Sequence, residues 1–499
     1  MSLTPHPLPP GLAGQAGLAA GLPVAALQQL LSTERERFRE LHPRSLALAK
    51  QARDHWLGGV PLHWMQDWGT PEPLHMASAA GATLTDVDGY TYVDFCLGDT
   101  GAMFGHSPPP VVAALQAQVA QGLTTMLPSA VAPEVGALLA ARFGLPWWQV
   151  TMTASDANRC VLRWARAITG RQRVLVFDHC YHGQVEDAMV RLEADGQVAN
   201  RPGLVGQAAD LALHSACVAF NDFAALEAAL ATGEYACVLA EPVMTNCGMV
   251  LPAPGFHQAL RELTRRHGTL LAIDETHTLS SALGGYTRSH GLEPDFFIAG
   301  KAVAGGFPCA VYGFTDAVRQ GIEGVQATKA PGHSGMGTTL SANPLALAAL
   351  RANLAEVMTA DAYAYMERLA RRLEAGFVAL IADCDLPWHV SRVGMRLEVG
   401  FAPQAPRNGA ESEAAHSALL GDTLRLYLLN RGVLVTPFHL MMLTSPVTTE
   451  AAVDRLLALW REAVMALLGG DVAGHAAAFL HAAAVDDVAA AGGAKEVRP

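Results

Sequence analysis

Charge is scarce in this sequence of 499 residues, because only 16% of the positions are charged. Acidic residues outnumber basic ones by 46 to 34, so the formal net charge is -12. An acidic chain offers a phosphate backbone no general attraction, which argues against a nucleic-acid partner. Long hydrophobic runs are also missing: no uninterrupted apolar stretch approaches the roughly 20 residues that a bilayer-spanning helix needs. We therefore expect a cytoplasmic protein with no membrane partner.

Several common site signatures are absent as well. The eight cysteines are scattered, without a CxxC pair or the clustering of a structural zinc site, so we expect core thiols in a reducing compartment and no metal. The sequence has no GxxxxGK[ST] pattern and no GxGxxG that opens a βαβ unit, which excludes the two common nucleotide-binding loops. Residues 1–31 carry no charged side chain, but they lack a basic leader and are interrupted by Pro, Gly and Gln. We interpret this segment as a flexible Pro/Gly/Ala-rich extension, neither signal peptide nor membrane anchor.

Short apolar runs alternate with longer helix-like segments through the middle of the chain. The runs are RVLVFD (173–178), ACVLAEPV (236–243), TLLAIDET (269–276), DFFIAGK (295–301) and AVYGF (310–314). This alternation predicts a mostly parallel α/β sheet, in which ligands bind beyond the carboxyl ends of the strands. Glu241, Asp274 and Lys301 each close one of these runs. Any one of them alone fits an ordinary strand end, but the three together indicate a site.

Lys301 and Asp274 suggest a particular chemistry. A lysine at the end of a buried strand is costly unless its charge is lost or matched, and the neutral amine is the nucleophile of Schiff-base chemistry. An aspartate on a neighbouring strand could keep a pyridine nitrogen protonated, which is what pyridoxal phosphate requires. A structural ion pair between Asp274 and Lys301 explains the two residues about as well.

Three further segments could hold a phosphate or a planar ring. In QVTMTASDANRCVLRWARAITG, Ser155 is the predicted cap of a helix that Gly170 ends, and a helix N-terminus attracts anions. Most capped helices bind nothing, so this signal is weak alone. Tyr181, in the CYHG segment, offers an aromatic face, although a loop tyrosine more often packs on the core. The loop GHSGMGTTLSANP has hydroxyls at Thr338 and Thr339 that could reach a phosphate, or it is a plain turn.

In this order, nine segments resemble the class III aminotransferases of fold type I, and most closely the branch that contains glutamate-1-semialdehyde aminomutase. The segments are GGVP, GATLTDVDGYTYVDF, TMTASDAN, CYHG, AEPVMTNCGMVLP, LLAIDETHT, AGKAVAGGFP, TTLSANP and RGVLVTPFHLMMLTSPVTTE. The resemblance runs from about Gly58 to Leu468. It implies a large, mostly parallel sheet domain at 111–355 and a smaller α+β domain built from 32–110 and 356–468. Residues 469–499 would then form an Ala/Gly-rich tail.

The resemblance also implies roles for individual residues. Lys301 would carry pyridoxal 5'-phosphate as a Schiff base and move the proton, and Asp274 would bind the ring nitrogen. The remaining cofactor contacts implied are Ala154 and Ser155 at the phosphate, Tyr181 and His182 at the ring, Glu241 and Asn246 nearby, Thr276 on the other ring face, and Thr339 at the phosphate of a partner subunit. A homodimer with shared active sites follows from the last of these.

Two departures from the family pattern matter, one at the cofactor phosphate and one at the substrate. Ala154 replaces a glycine, which is tolerable only if its φ is negative. The segment VPLHWMQDWG after Gly59 lacks the arginine that the aminomutase resemblance leads us to expect for a substrate carboxylate. Trp64 and Trp68 suggest an apolar pocket wall there, although buried tryptophans are more often plain core. Other arginines that could grip a carboxylate, or simply lie on the surface, are Arg396 and Arg407.

Our first hypothesis is therefore a transaminase that moves an amino group from an amine or β-amino acid with a bulky apolar side to a keto acid. The second is an intramolecular aminomutase or racemase of the same fold, which would release no keto product. A non-catalytic binding protein that kept the fold is the third, and the intact Lys301, Asp274 and Tyr181 argue against it.

Overall fold

A computed structural model describes residues 18–469. The helices are α1 (Val24–Leu41), α2 (Pro43–Ala52), α3 (Pro109–Val119), α4 (Ala132–Phe143), α5 (Ala154–Thr169), α6 (Phe223–Ala231), α7 (Phe256–Arg266), α8 (Gly285–Ser289), α9 (Asp316–Thr328), α10 (Pro344–Ala352), α11 (Ala360–Asp383), α12 (Gly409–Ala415), α13 (Ala418–Leu429) and α14 (Glu450–Leu467). In this part of the chain no helix is long and apolar enough to cross a bilayer.

The strands form one large sheet and several small ones. They are β1 (Leu18–Ala19), β2 (Leu22–Pro23), β3 (Met76–Ala80), β4 (Thr83–Asp86), β5 (Thr91–Asp94), β6 (Trp147–Thr151), β7 (Arg173–Phe177), β8 (Val190–Leu192), β9 (Val198–Asn200), β10 (Ser215–Val218), β11 (Tyr235–Ala240), β12 (Leu270–Asp274), β13 (Phe296–Ala299), β14 (Ala310–Phe314), β15 (His389–Val393), β16 (Arg396–Gly400), β17 (Val433–Leu434) and β18 (Met441–Leu443).

The large sheet has the strand order β10-β7-β11-β12-β13-β14-β6. Its first five strands are parallel, and β14 runs antiparallel to both of its neighbours. Strands β11, β13 and β14 are buried along their whole length, because helices cover both faces of the sheet and the residues are almost all apolar. All five predicted runs are strands of this sheet, so the prediction of a mostly parallel α/β fold is confirmed.

A second layer joins the two ends of the chain. The small sheet β17-β5-β4-β3 pairs β17, from the C-terminal part, in parallel with β5, from the N-terminal part. The sheet β15-β16-β18 lies in the C-terminal part, and α11 and α14 pack beside it in one hydrophobic cluster around Trp460 and Phe377. These contacts fit a smaller domain assembled from both ends of the chain.

The predicted flexible extension is wrong for residues 18–31. Helix α1 begins at Val24, so the boundary placed at residue 32 falls inside it. Leu22 and Leu27 are completely buried and Leu31 nearly so, because their apolar side chains face the small-domain core. The lack of charge in this segment therefore reflects burial and not flexibility. The predicted limits at 110 and 355 also fall inside elements, α3 and a π-helical turn at Asn353–Val357. Except for Gly469, the predicted tail lies outside the described residues.

Candidate active site

A cleft of about 320 Å³ opens at the carboxyl ends of the parallel strands. Lys301 follows β13 at the start of a short 3₁₀ turn, and its backbone is left-handed, with φ of 46°. A side chain at the preceding Gly300 would place its Cβ 2.9 Å from the Cβ of Ala154. Glycine at 300 therefore lets the start of α5 approach the lysine turn. Glu241 and Asp274 line the same cleft, as their positions at the strand ends predicted.

The amine of Lys301 contacts two residues that the sequence did not indicate. Its Nζ lies 2.6 Å from Oδ2 of Asp99 and within hydrogen-bonding distance of Nε2 of His277. Asp99 sits in a loop where Leu97, Asp99 and Thr100 all have positive φ, a conformation that side chains rarely adopt. Burial alone would raise the pKa of Asp99, but attraction by Lys301 and His277 holds it well below its usual range. Asp99 is therefore an anion fixed beside the lysine amine.

Asp274 is held by a different set of partners. Its Oδ2 accepts from Nδ1 of His182 and Nδ2 of Asn158, both at 2.9 Å, and its Oδ1 accepts from the hydroxyl of Thr276 at 2.6 Å. Burial alone would raise the pKa of Asp274, but these hydrogen bonds, above all that of His182, keep it below the ordinary value. Asp274 pairs with His182 and Lys301 pairs with Asp99, so the two residues do not form the structural ion pair weighed above.

Glu241 is the buried acceptor of a third group. Its carboxylate accepts from the backbone N–H of Tyr181 at 3.1 Å, from the hydroxyl of Thr245 at 3.1 Å and from the amide of Asn246 at 3.4 Å. Burial raises the pKa of Glu241 above its ordinary value in spite of these donors. The Thr245 hydroxyl also lies 2.6 Å from Nδ1 of His277. The lysine and glutamate surroundings are thus one connected network.

The start of α5 differs in one detail from the prediction. Thr153, not Ser155, is the cap: its backbone is extended and its hydroxyl accepts from the N–H of Asp156 at 3.1 Å. Ser155 lies inside the helix, and its hydroxyl accepts from the N–H of Gln184 at 2.9 Å. Ala154 is helical with negative φ, so the condition set for alanine at this position is met.

The loop after β7 is fitted closely to this helix start. A Cβ on Gly183, where φ is 76°, would lie 2.1 Å from the hydroxyl oxygen of Ser155. The side chain of Tyr181 is half exposed, and both Tyr181 and Thr276 line the cleft. A helix N-terminus and an aromatic face therefore both border the cleft.

Thr339 does not join these residues. It lies in a separate cavity of about 470 Å³, together with Thr338 and the exposed apolar side chains of Met126 and Leu127. Trp68 packs on a core cluster of the small domain, and Trp64 is partly exposed in a 3₁₀ turn. Neither tryptophan lines the cleft, so the apolar wall that they suggested is not formed within this chain.

The two arginine candidates separate. Arg407 lies on the surface, where it pairs with Glu411, and it does not reach the cleft. Arg396 is completely buried at the start of β16, and it donates to the hydroxyl of Thr100 behind the Asp99 loop. Its Nη1 has no hydrogen-bond partner among the described residues. Arg396 therefore supports the loop that carries Asp99 and does not line the cleft itself.

Comparison with known proteins places this geometry in a family. The profile of the Aminotransferase class-III family matches residues 65–463. The chain is 32% identical to a glutamate-1-semialdehyde 2,1-aminomutase of Myxococcus xanthus, over 85% of this chain and 99% of the relative. The fold matches the crystal structure of a glutamate-1-semialdehyde-aminomutase from Pseudomonas aeruginosa PAO1 with 51% identity and a TM-score of 0.88, over 90% and 100% of the two chains.

Transaminases of the same fold are also similar. A β-phenylalanine aminotransferase from Variovorax paradoxus is 27% identical with a TM-score of 0.77, over 87% of this chain and 96% of that one. A variant of the Pseudomonas protein, with one lysine replaced by alanine, has been crystallised in complex with PMP. From the family match and the coverage of these relatives, we conclude that the chain belongs to the class III aminotransferases, pyridoxal-phosphate enzymes of fold type I.

Proposed function

We propose that this enzyme is an intramolecular aminomutase, which moves an amino group between neighbouring carbons of one small amino aldehyde such as glutamate 1-semialdehyde. The observation that carries the proposal is the cleft of about 320 Å³ that Lys301 and Asp274 both line, at the ends of neighbouring parallel strands. The relatives in Myxococcus and Pseudomonas bear the aminomutase name. They support this function better than the bulky-donor transaminase that was our first hypothesis.

The residues of the cleft fit pyridoxal phosphate. Asp274 is buried and its pKa is lowered by His182, so it stays ionised and can hold a protonated ring nitrogen. The start of α5 at Ala154 and Ser155 presents a positive helix end to a phosphate. Tyr181 offers a half-exposed aromatic face in between. The volume of about 320 Å³ is in the range of pockets for small molecules.

This fit implies a role for each residue of the cleft. The bound cofactor supplies an electron sink for the carbon from which a proton is removed. Asp274 would keep that sink charged, and Lys301 would hold the cofactor and carry the proton between the substrate carbon and the cofactor. His182 holds the Asp274 carboxylate from behind through a bond of 2.9 Å. Asn246 and Glu241 line the neighbouring wall, where they can hold hydrogen bonds near the ring.

A second candidate is a transaminase. The segment after Gly59 has no arginine for a carboxylate up to residue 70, and the fold is shared with the β-phenylalanine aminotransferase of Variovorax. Such an enzyme would pass the amino group to a separate keto acid. The two functions differ in mass balance, because an aminomutase only rearranges its substrate and releases no keto product.

The distinguishing experiment supplies glutamate 1-semialdehyde alone to the loaded enzyme. We expect 5-amino-4-oxopentanoate, its isomer with the amino group on the terminal carbon, and no requirement for a keto acid. Lys301→Ala is the blank, and it should bind the cofactor phosphate without turnover. If the isomer does not form, while an aromatic β-amino acid and pyruvate yield alanine, the transaminase replaces our proposal.

We infer in addition that the enzyme works as a homodimer with shared sites. Thr339 lies away from the Lys301 cleft within its own chain, in a cavity bordered by Met126 and Leu127, which are 79% and 72% exposed. An apolar rim beside a polar loop fits a surface covered by a second copy. Measurement of the mass in solution tests this, and a monomer with full activity would contradict it.

A further inference from the structure

A continuous line of hydrogen-bonding atoms leads from Lys301 into the protein interior. Nζ of Lys301 contacts Nε2 of His277, Nδ1 of His277 lies 2.6 Å from the hydroxyl of Thr245, and that hydroxyl lies 3.1 Å from Oε2 of Glu241. Thr245 is completely buried, and His277 and Glu241 are each 5% exposed. The middle of this line is therefore shielded from bulk water.

Each member of the line has the chemistry to pass a proton on. An imidazole can accept at one nitrogen and release from the other, and a hydroxyl is both donor and acceptor. A relay through a histidine and a threonine also needs a proton acceptor at its far end. Glu241, a carboxylate at the end of β11, is that destination.

We propose that Lys301 becomes the neutral, nucleophilic amine by passing its surplus proton through His277 and Thr245 to Glu241. This inference rests on the proposed function of Lys301 as the residue that attaches pyridoxal phosphate. His277 and Thr245 are then relay residues of the attachment reaction and of every return of the cofactor to Lys301.

The transfer balances without an external reagent. One N–H bond of the Lys301 ammonium breaks as an N–H bond forms at Nε2 of His277. The N–H bond at Nδ1 breaks as an O–H bond forms on Thr245, whose original O–H bond breaks as one forms on Glu241. An ammonium and a carboxylate thus become an amine and a carboxylic acid, and nothing is oxidised or reduced.

The surroundings explain why the proton goes to Glu241 and not to the nearer Asp99. Although burial opposes it, Lys301 and His277, with Arg396 behind the loop, hold the pKa of Asp99 well below its usual range. Burial, by contrast, raises the pKa of Glu241. Asp99 therefore remains an anion that aims the amine, while Glu241 can take the proton.

His277 is suited to a transient role. Burial first, and then the positive charge of Lys301, lower its pKa to about 3. The groups that face it are Asp99, Lys301 and Arg396 on one side and, at Nδ1, the hydroxyl of Thr245 at 2.6 Å and the amide nitrogen of Asn246 at 3.2 Å. A histidine with this pKa does not keep the proton, so it hands the proton on.

The test measures how fast cofactor-free protein binds pyridoxal phosphate covalently, followed by stopped-flow as the visible absorbance of the lysine-bound cofactor. Thr245→Val removes the hydroxyl at nearly constant volume, and Thr245→Ser restores it. We expect the valine variant to react about tenfold or more slowly at neutral pH. The serine variant should recover most of the rate. The valine deficit should close at strongly alkaline pH, where hydroxide removes the proton directly.

Binding of pyridoxamine phosphate, which needs no lysine nucleophile, checks that each variant keeps an intact cleft. If Thr245→Val fails this check, His277→Gln decides, because glutamine keeps a hydrogen bond but cannot exchange protons between two ring nitrogens. An intact relay variant that reacts at the wild-type rate from pH 6 to pH 9 overturns the relay alone. A wild-type protein without the lysine-bound absorbance, or a Lys301→Ala variant that retains it, overturns the proposed function instead.

Discussion

Replacing Asp274 by asparagine keeps the size of the side chain but removes its charge and one of its acceptor oxygens. The carboxylate accepts four hydrogen bonds: two at Oδ2, from His182 and Asn158, and two at Oδ1, from the hydroxyl and the backbone N–H of Thr276. Whichever way the new amide is turned, its NH₂ group faces two of these donors. His182 can lose its proton and the Thr276 hydroxyl can rotate, but one N–H donor stays without an acceptor.

The magnitude follows from this count. A buried donor left without a partner costs about 1–3 kcal/mol, and hydrogen bonds to a charged group contribute about 1.5–3 kcal/mol each. His182 recovers part of this loss, because it becomes neutral when the anion is gone. We therefore expect Asp274→Asn to lower the free energy of unfolding of the cofactor-free protein by about 2–4 kcal/mol.

Urea unfolding of the cofactor-free protein measures this loss, with Asp361→Asn, an exposed aspartate at the start of α11, as the matched control. The pKa of Asp274 is below its ordinary value of 3.8, so its contribution is present above that pH and is lost as the pH falls. Burial alone would lower the pKa of His182, but Cys180 and Asp274 raise it from 6.5 to about 10. The contribution of His182 to the free energy of unfolding therefore declines as the pH rises between these values.

The difference between wild type and Asp274→Asn should consequently be largest between about pH 4 and pH 6.5 and shrink on both sides. Equal urea midpoints in that window would refute the reasoning, because the carboxylate would then be either uncharged or unpaired. A loss of the same size in Asp361→Asn would show that the effect is not specific to the buried network.

Two further predictions concern stability and the phosphate end of the cleft. Burial lowers the pKa of His257 from 6.5 to about 4, so its neutral form is favoured in the fold, and about 3 kcal/mol of stability should be lost as the pH falls between these values. His257→Gln should flatten that part of the pH profile in urea unfolding, and an unchanged slope would assign the acid sensitivity elsewhere. Gly183→Ala should displace Ser155, because its Cβ would lie 2.1 Å from the serine hydroxyl where φ is 76°. The affinity of the Gly183→Ala variant for pyridoxamine phosphate should fall about tenfold or more, because the alanine adds strain of at least about 1–2 kcal/mol. An unchanged affinity would contradict this prediction.

The sequence was sufficient for the parts of the site that local pattern determines. Glu241, Asp274 and Lys301 were found because buried parallel strands are short apolar runs, and the first polar residue after each run lies at the common edge of the sheet. The Lys301 and Asp274 pair suggested the cofactor and the CYHG segment offered Tyr181, and the resemblance to the family then implied a role for each. His277 stands three residues after Asp274 in DETHT, so a histidine near the site was visible, but its direction was not.

Other parts could not be predicted because they depend on long-range packing. Asp99 lies 202 residues before Lys301, in a small-domain loop with no apolar run to mark it. Trp68 was considered for the pocket, but it packs on the small-domain core, as tryptophans commonly do. The cap was assigned to Ser155 and not to Thr153 because two hydroxyl residues stand so close together that only backbone geometry separates them.

Three carboxylates in and beside the cleft have different pKa values because they have different neighbours. Asp274 and Asp99 are each matched with a cationic or donor-rich partner, and their pKa values are lowered in spite of burial. Glu241 receives only neutral donors, and burial raises its pKa. Such separation of pKa values divides roles among similar groups. In our proposal the two anions would hold the cofactor ring and the lysine amine, while Glu241 would gain and lose a proton. An enzyme that returns its cofactor to the same lysine in every cycle would use that third carboxylate each time.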